Sequence, residues 1–224
     1  IQEKIKPLIE AKGGLDFLCG GPPCQGFSNI GHRRTHKLEK REIPTNHLFH
    51  EMIRVIKELK PKIFLFENVE GILSGKWDKK EGKKGEIFRD VWKSFSSIRG
   101  YTAQPTLLHA YGFGVPQNRP RVMIMGIRND ILKKSNLKPV KFDPSRDNTT
   151  FSSQIKNNGG FFPTWNENEI DAPDLIDVLS DLDFTGWSSE KPFYKKKART
   201  DFQKFLRENN ITNEKGKEIL TDHE

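Results

Sequence analysis

"KIFLFENV", residues 62–69, sets a continuous apolar run, Ile63 to Phe66, directly before an acid and an amide. Such a run predicts a strand of the kind buried on both faces, as in parallel sheets. Upstream, "NHLFHEMIRVIKELK" (46–60) places Leu48, Met52, Val55, Ile56 and Leu59 at helical spacing, with Asn46 as a cap and Pro61 just past the end. Further upstream, "GLDFLCGG" (14–21) reads as a short apolar strand ended by Gly20 and Gly21. Downstream, the Gly/Lys-rich loop "SGKWDKKEGKKGE" (74–86) leads to a second amphipathic helix with Ile87, Val91, Phe95 and Ile98 as its stripe. "YTAQPTLLHA" (101–110) and "RVMIMGI" (121–127) follow as two more strands. Strand, helix, strand, helix and two neighbouring strands predict an α/β chain with a partial doubly wound sheet and a hairpin-like edge.

After about residue 129 the apolar periodicity thins and Asn, Asp, Ser and Lys accumulate. Only "DLIDVLSDL" (174–182) and "RTDFQKFLREN" (199–209) read as short helices there, so residues 1–135 are taken as one portion and 136–224 as an irregular connector. The 224 residues are 34% hydrophobic and 30% charged, which favours a folded globular chain over a disordered one. No apolar run approaches the roughly 20 residues needed to cross a bilayer, and "IQEKIKPLIE" lacks the pattern of a signal peptide. An intracellular location is therefore expected, and the start at Ile1, inside an amphipathic pattern, reads as a fragment. The net charge of +8 suits a polyanionic partner, although solubility accounts for part of such an excess.

Two cysteines five positions apart cannot build a disulfide framework, so any role for a thiol is chemical. In "GGPPCQGFSNIGHRR" (20–34) two glycines and two prolines stiffen the chain before Cys24, and a looser basic stretch follows. Cys19, inside the strand, is read as a small core residue. Cys24 has the same bland reading open to it, but a backbone set to present one side chain makes it a candidate nucleophile. Cys19, Cys24, His32 and His36 run C-x4-C-x7-H-x3-H, a gap too short for the usual zinc finger, and no metal is assigned.

Ligands of open α/β sheets sit beyond the carboxyl ends of the strands, where both Cys24 and Glu67 fall. Glu67 is either solvated or paired with a lysine, or desolvated and kept protonated to donate a hydrogen bond; Asn68 is placed to brace the turn. In "QNRPR" (117–121), an extended conformation would point Gln117, Arg119 and Arg121 to one face. Standing just before a buried strand, these arginines need an acceptor, and Glu67 or a polar ligand supplies one.

"GGPPCQGFS", then "LFHEMIRVIKELKPKIFLFENVEGIL", then "AYGFGVPQNRPRVMIMGIR", in that order, resemble successive motifs of the DNA cytosine-5 methyltransferases over roughly residues 15–128. The resemblance implies a Rossmann-like methyltransferase sheet, S-adenosylmethionine as methyl donor, and double-stranded DNA as substrate. It implies that the Cys24 thiolate adds to carbon 6 of a cytosine rotated out of the duplex, and that Glu67 holds ring nitrogen 3 and the exocyclic amine. Arg121 is then assigned to the glutamate and Arg119 to the base. Pro23 and Leu48 match positions lining the methionine side of the cofactor pocket. Gln25, Ser28, Arg33, Arg34 and Lys37 match the loop that closes over flipped DNA, and Gln117 joins them as a DNA contact.

The family's Gly-rich cofactor motif, its target-recognition domain and its last motifs have no counterpart in these residues. The expectation is a catalytic portion, inactive alone, of a prokaryotic enzyme of a restriction-modification system, cytoplasmic and nucleoid-associated, without a membrane. A split enzyme completed by another subunit and a non-catalytic DNA-binding relative are the alternatives.

Overall fold

Ile63–Val69 is a strand, and its two neighbours run in opposite senses. Four strands form the sheet among the described residues: β1 (Phe17–Gly20), β2 (Ile63–Val69), β3 (Tyr101–His109) and β4 (Pro120–Arg128), in the order β1-β2-β4-β3. β1 pairs with β2 in parallel, and β4 is antiparallel to both β2 and β3. Helices α1 (Lys6–Ala11) and α4 (Asn129–Leu132) precede β1 and follow β4, and the parallel pair is joined by a crossover carrying helix α2 (Phe49–Leu59), as parallel neighbours require. The computed structural model describes residues 4–23, 42–78, 80–145, 151–166, 172–180 and 197–208.

The amphipathic patterns carry the core. Helix α2 turns Phe49, Met52, Ile53 and Ile56 inward, and α3 (Glu86–Ser96) turns Ile87, Phe88, Val91, Trp92 and Phe95 inward, all packed with Phe64 and Phe66 of β2. Each such side chain, once buried, contributes about 1.5–3 kcal/mol. α2 ends at Lys60, whose left-handed conformation (φ 48°) and the following Pro61 both prevent another helical turn.

Burial on both faces of β2 is not what the structure shows. Phe64, Phe66 and Asn68 are buried under the helices, whereas Ile63, Leu65, Glu67 and Val69 on the opposite face are only partly covered. Around them stand Met123 and Met125 of β4, with a small cluster of Ile127, Phe161 and Phe162. An antiparallel neighbour accounts for this, since such sheets tolerate one open face. Cys19, expected in the core, is exposed because β1 lies at the sheet edge and shows its outer face to solvent.

The chain divides into two compact units, Ile1–His109 with Pro120–Trp165, and Ala110–Arg119 with Asn166–Glu224. The first therefore runs past the boundary expected at residue 135. Phe142 packs at right angles to Trp92, Phe151 and Ile155 of α5 (Phe151–Ile155) join the main core, and Phe161 and Phe162 cover part of the other face. Gln104, fully buried in β3, fastens this segment: its side chain accepts from the N–H groups of Val140 (2.8 Å) and Phe161 (3.1 Å) and donates to the Gly159 carbonyl (2.6 Å). In the second unit, α6 (Leu175–Leu179) and α7 (Asp201–Glu208) are tied by Gln203, which donates to the Ser180 hydroxyl at 3.0 Å. Among the described residues no helix is long and apolar enough to cross a membrane.

Candidate active site at the end of the sheet

Register places the site. Gly20 pairs with Phe66 in the parallel β1–β2 ladder, so the next residue, Gly21, comes beside Glu67. In the antiparallel β2–β4 ladder Glu67 pairs with Met123 and Val69 with Arg121. Glu67 and Arg121 are thus diagonal neighbours on one face, within reach of long side chains. Their side chains meet: Arg121 Nε lies 2.5 Å from Glu67 Oε1, with the arginine 18% and the glutamate 38% exposed. Arg121 also donates from Nη1 to the Pro120 carbonyl at 2.8 Å, which fixes the guanidinium at the start of its strand. Of the fates open to Glu67, pairing with a cation is the one adopted, and the cation is an arginine.

The other carboxylate oxygen faces Gly21. A Cβ built there would lie 2.8 Å from Glu67 Oε2, so no side chain fits unless the carboxylate shifts. Asn68, pointing to the opposite face and buried, donates from Nδ2 to the Pro22 carbonyl at 3.1 Å and accepts from the Val69 N–H at 2.9 Å. Adjacent residues of β2 therefore act on adjacent residues of the Gly-Pro stretch: Glu67 packs on Gly21, and Asn68 ties down Pro22. A carboxylate held between a guanidinium and a bare Cα, with one edge open to solvent, can accept two hydrogen bonds from a planar polar ligand.

The other sequence candidates separate into three groups. Pro23 is exposed, and Leu48 is 37% exposed at the residue preceding α2. Gln117 and Arg119 are exposed and belong to the second unit. Of Gln117, Arg119 and Arg121 only Arg121 lies in a strand, because the Gln117 N–H bonds back to the Val115 carbonyl at 2.7 Å in a tight turn around Pro116. The alternation of Gln117, Arg119 and Arg121 on one extended face therefore does not extend through the segment. Cys24, Gln25, Ser28, Arg33, Arg34 and Lys37 lie outside the described residues.

The close approach of Gly21 to Glu67 escaped the reading of the sequence. Its signal was present as a glycine pair at the end of a strand, a common mark of tight backbone contact.

The family model for the C-5 cytosine-specific DNA methylase matches residues 2–223. The orphan methyltransferase M.SPRI of Bacillus phage SPR is 39% identical over 119 residues, which make up 53% of this chain and 24% of that protein. The type II methyltransferase M.FnuDI of Fusobacterium nucleatum is 39% identical over 132 residues, 58% of this chain and 35% of the relative. The chain thus spans about a quarter to a third of the length of these relatives. Among solved structures, DNMT2 of Spodoptera frugiperda aligns with 18% identity and a TM-score of 0.44, covering 96% of this chain and 51% of that one.

Proposed function

This chain belongs to the C-5 cytosine-specific DNA methylases, and we propose that it carries the catalytic groups of an enzyme that methylates carbon 5 of cytosine in DNA. The observation that carries this reading is the Glu67–Arg121 pair packed on Gly21, three residues before the cysteine. Chain length alone keeps Cα of residue 24 within about 11 Å of Gly21.

Cytosine carbon 5 is a weak nucleophile. Addition of the Cys24 thiolate to carbon 6 forms a carbon–sulfur bond and moves an electron pair onto carbon 5, which then takes the methyl group. Loss of the carbon 5 proton and departure of the thiolate restore the ring. Glu67 shares a proton with ring nitrogen 3 and accepts from the exocyclic amine during addition, where negative charge builds up on the ring, while Arg121 keeps the carboxyl group in place. Arg119 supports the base. These steps require the cytosine to leave the duplex, and Gln25, Ser28, Arg33, Arg34, Lys37 and Gln117 contact the DNA around it.

S-adenosylmethionine, bound, supplies the methyl group. Pro23 and Leu48 suit its methionine end, being apolar side chains left exposed beside the Gly-Pro stretch and before α2. The rest of the cofactor site and the sequence-reading domain come from a further segment or a complementary subunit. Two observations support this: the share of the relatives' length that is matched, and the parallel strand β1 standing at the sheet edge with Phe17 49% exposed. The setting is a prokaryotic restriction-modification system acting in the cytoplasm at the nucleoid.

The test is covalent capture. A duplex carrying 5-fluorocytosine in its target is expected to trap the full-length protein in the presence of S-adenosylmethionine, and Cys24→Ala is expected to abolish the trapped species. Absence of capture on the protein's own target sequence overturns the reading.

A further inference from the structure

The loop after β2 reads "GKWDKKEGKKG" (75–85), and on composition alone it is a solvated charge run. Its described residues, 75–78 and 80–85, form a braced platform. The Gly85 N–H closes it onto the Gly75 carbonyl at 3.1 Å, and Gly85 itself takes a positive φ of 79°. Trp77 plugs its centre, 4% exposed, with its indole N–H donating to Asp90 at 2.6 Å and its ring stacked on His47 at 5.0 Å between centroids.

Of the acids in and beside the loop, Asp78 and Glu86 are spent on its backbone, while Glu81 is exposed among the lysines. Asp78 Oδ1 accepts from the N–H groups of Lys80 (2.8 Å) and Glu81 (2.9 Å). Glu86 holds the N–H groups of Trp77 and Lys83. Arg89 donates to the Lys84 carbonyl at 3.1 Å and so anchors the exit. Lys76, Lys80, Lys83 and Lys84 are all exposed, and among the described residues none of them forms an ion pair. The result is a cluster of cations on an ordered frame, which loses little conformational freedom when it meets an array of anions.

Position supplies the identity of that array. The loop leaves the same end of β2 that carries Glu67, and Gly75 follows Val69 by six residues, a reach of at most about 20 Å. That bound corresponds to at most little more than half a turn of duplex. We propose that the Gly75–Gly85 loop is a phosphate-binding platform that grips the DNA backbone flanking the target base. The inference rests on the reading of the site as a cytosine methylase. It adds an electrostatic contact made by the sheet-bearing unit itself, at residues that no sequence motif marked.

The test compares two charge-matched variants of the full-length protein. K80Q/K83Q/K84Q removes three loop cations. K57Q/K133Q/K134Q removes three exposed lysines at the opposite end of the sheet, at the end of α2 and after β4. Dissociation constants for a target duplex are measured across a salt series, with circular dichroism melts confirming that both variants fold. Each lost phosphate contact lowers the magnitude of the log–log salt slope by about 0.9. The loop variant is expected to lose about two to three from the slope, against less than one for the control.

Equal slopes in the two variants, with 5-fluorocytosine capture by the unaltered protein intact, overturn the platform and leave the enzymatic reading standing. Failure of the unaltered protein to be captured overturns the enzymatic reading itself. A slope change seen on duplex RNA and absent on DNA also overturns the proposal.

Discussion

The Asn68 side chain reaches from β2 to the Pro22 carbonyl at 3.1 Å, so one residue of the second strand fixes the main chain leaving the first. Removing it leaves a partly buried carbonyl without its partner, at a cost of about 1–3 kcal/mol. Asn68→Ala is expected to lower the urea midpoint accordingly. Turnover of the full-length protein is expected to drop by about 100-fold, because the chain that positions the nucleophile loses its tie.

Gly21→Ala places a methyl group 2.8 Å from Glu67 Oε2, closer than van der Waals contact allows. The carboxylate has to swing away from Arg121, and the expected outcome is a loss of about 100-fold or more in kcat. The thermal midpoint should move little, since Gly21 is exposed and no buried contact is removed. Steady-state kinetics and calorimetry on the same preparation check both halves.

Arg121→Lys keeps the charge but loses the planar fork that engages Glu67 through Nε and Pro120 through Nη1. A fall of about 10- to 100-fold in kcat/KM is expected. The stability change should stay below about 1 kcal/mol, because the pair is partly solvated. A variant that turns over normally would remove Arg121 from its positioning role.

Gln104→Ala strips three backbone groups, at Val140, Gly159 and Phe161, of their buried partner. A loss of about 3 kcal/mol in unfolding free energy is expected from denaturant titration. Limited proteolysis should then cut first within residues 136–165, the segment that this side chain fastens.

Burial pushes the Tyr101 hydroxyl up to about 12, and it donates to the Pro61 carbonyl at 2.5 Å. In the unfolded chain the phenol ionises near 10, so below that pH both states hold the proton and stability is unaffected. Between about pH 10 and 12 only the unfolded state releases it, and stability falls as pH rises. Tyr101→Phe is expected to flatten this part of the decline, read as the change in thermal midpoint between about pH 9 and pH 11.5.

Much of the sheet was legible because its signals are local. The apolar run at Ile63–Phe66, the helical spacing of Met52 and Ile56, and the stripe of Ile87, Val91 and Phe95 each announce an element within a dozen residues. The insertion of β4 between β2 and β3 was not, because strand order depends on pairing between distant segments. Residues 136–165 were obscured by their polar composition: Phe142, Phe151, Ile155, Phe161 and Phe162 reach the core from a mostly polar stretch, with no stripe longer than one helical turn. At the site, Glu67 and the arginines stood out as charges beside apolar strands. The contact of Glu67 with Gly21 is set by register across two strands, which one strand's sequence does not encode.

That register also governs which changes in length the protein tolerates. Because alternate β2 residues face opposite sides, deleting one residue between Ile63 and Phe66 while the pairing below it held would turn Glu67 toward the helices and bring Asn68 out in its stead. Exchanging one of these apolar residues for another keeps the chemistry aligned, whereas a single-codon deletion here would dismantle it. Lengthening the chain beyond Leu73 leaves that alignment untouched, so insertions have room to accumulate there without moving the acid.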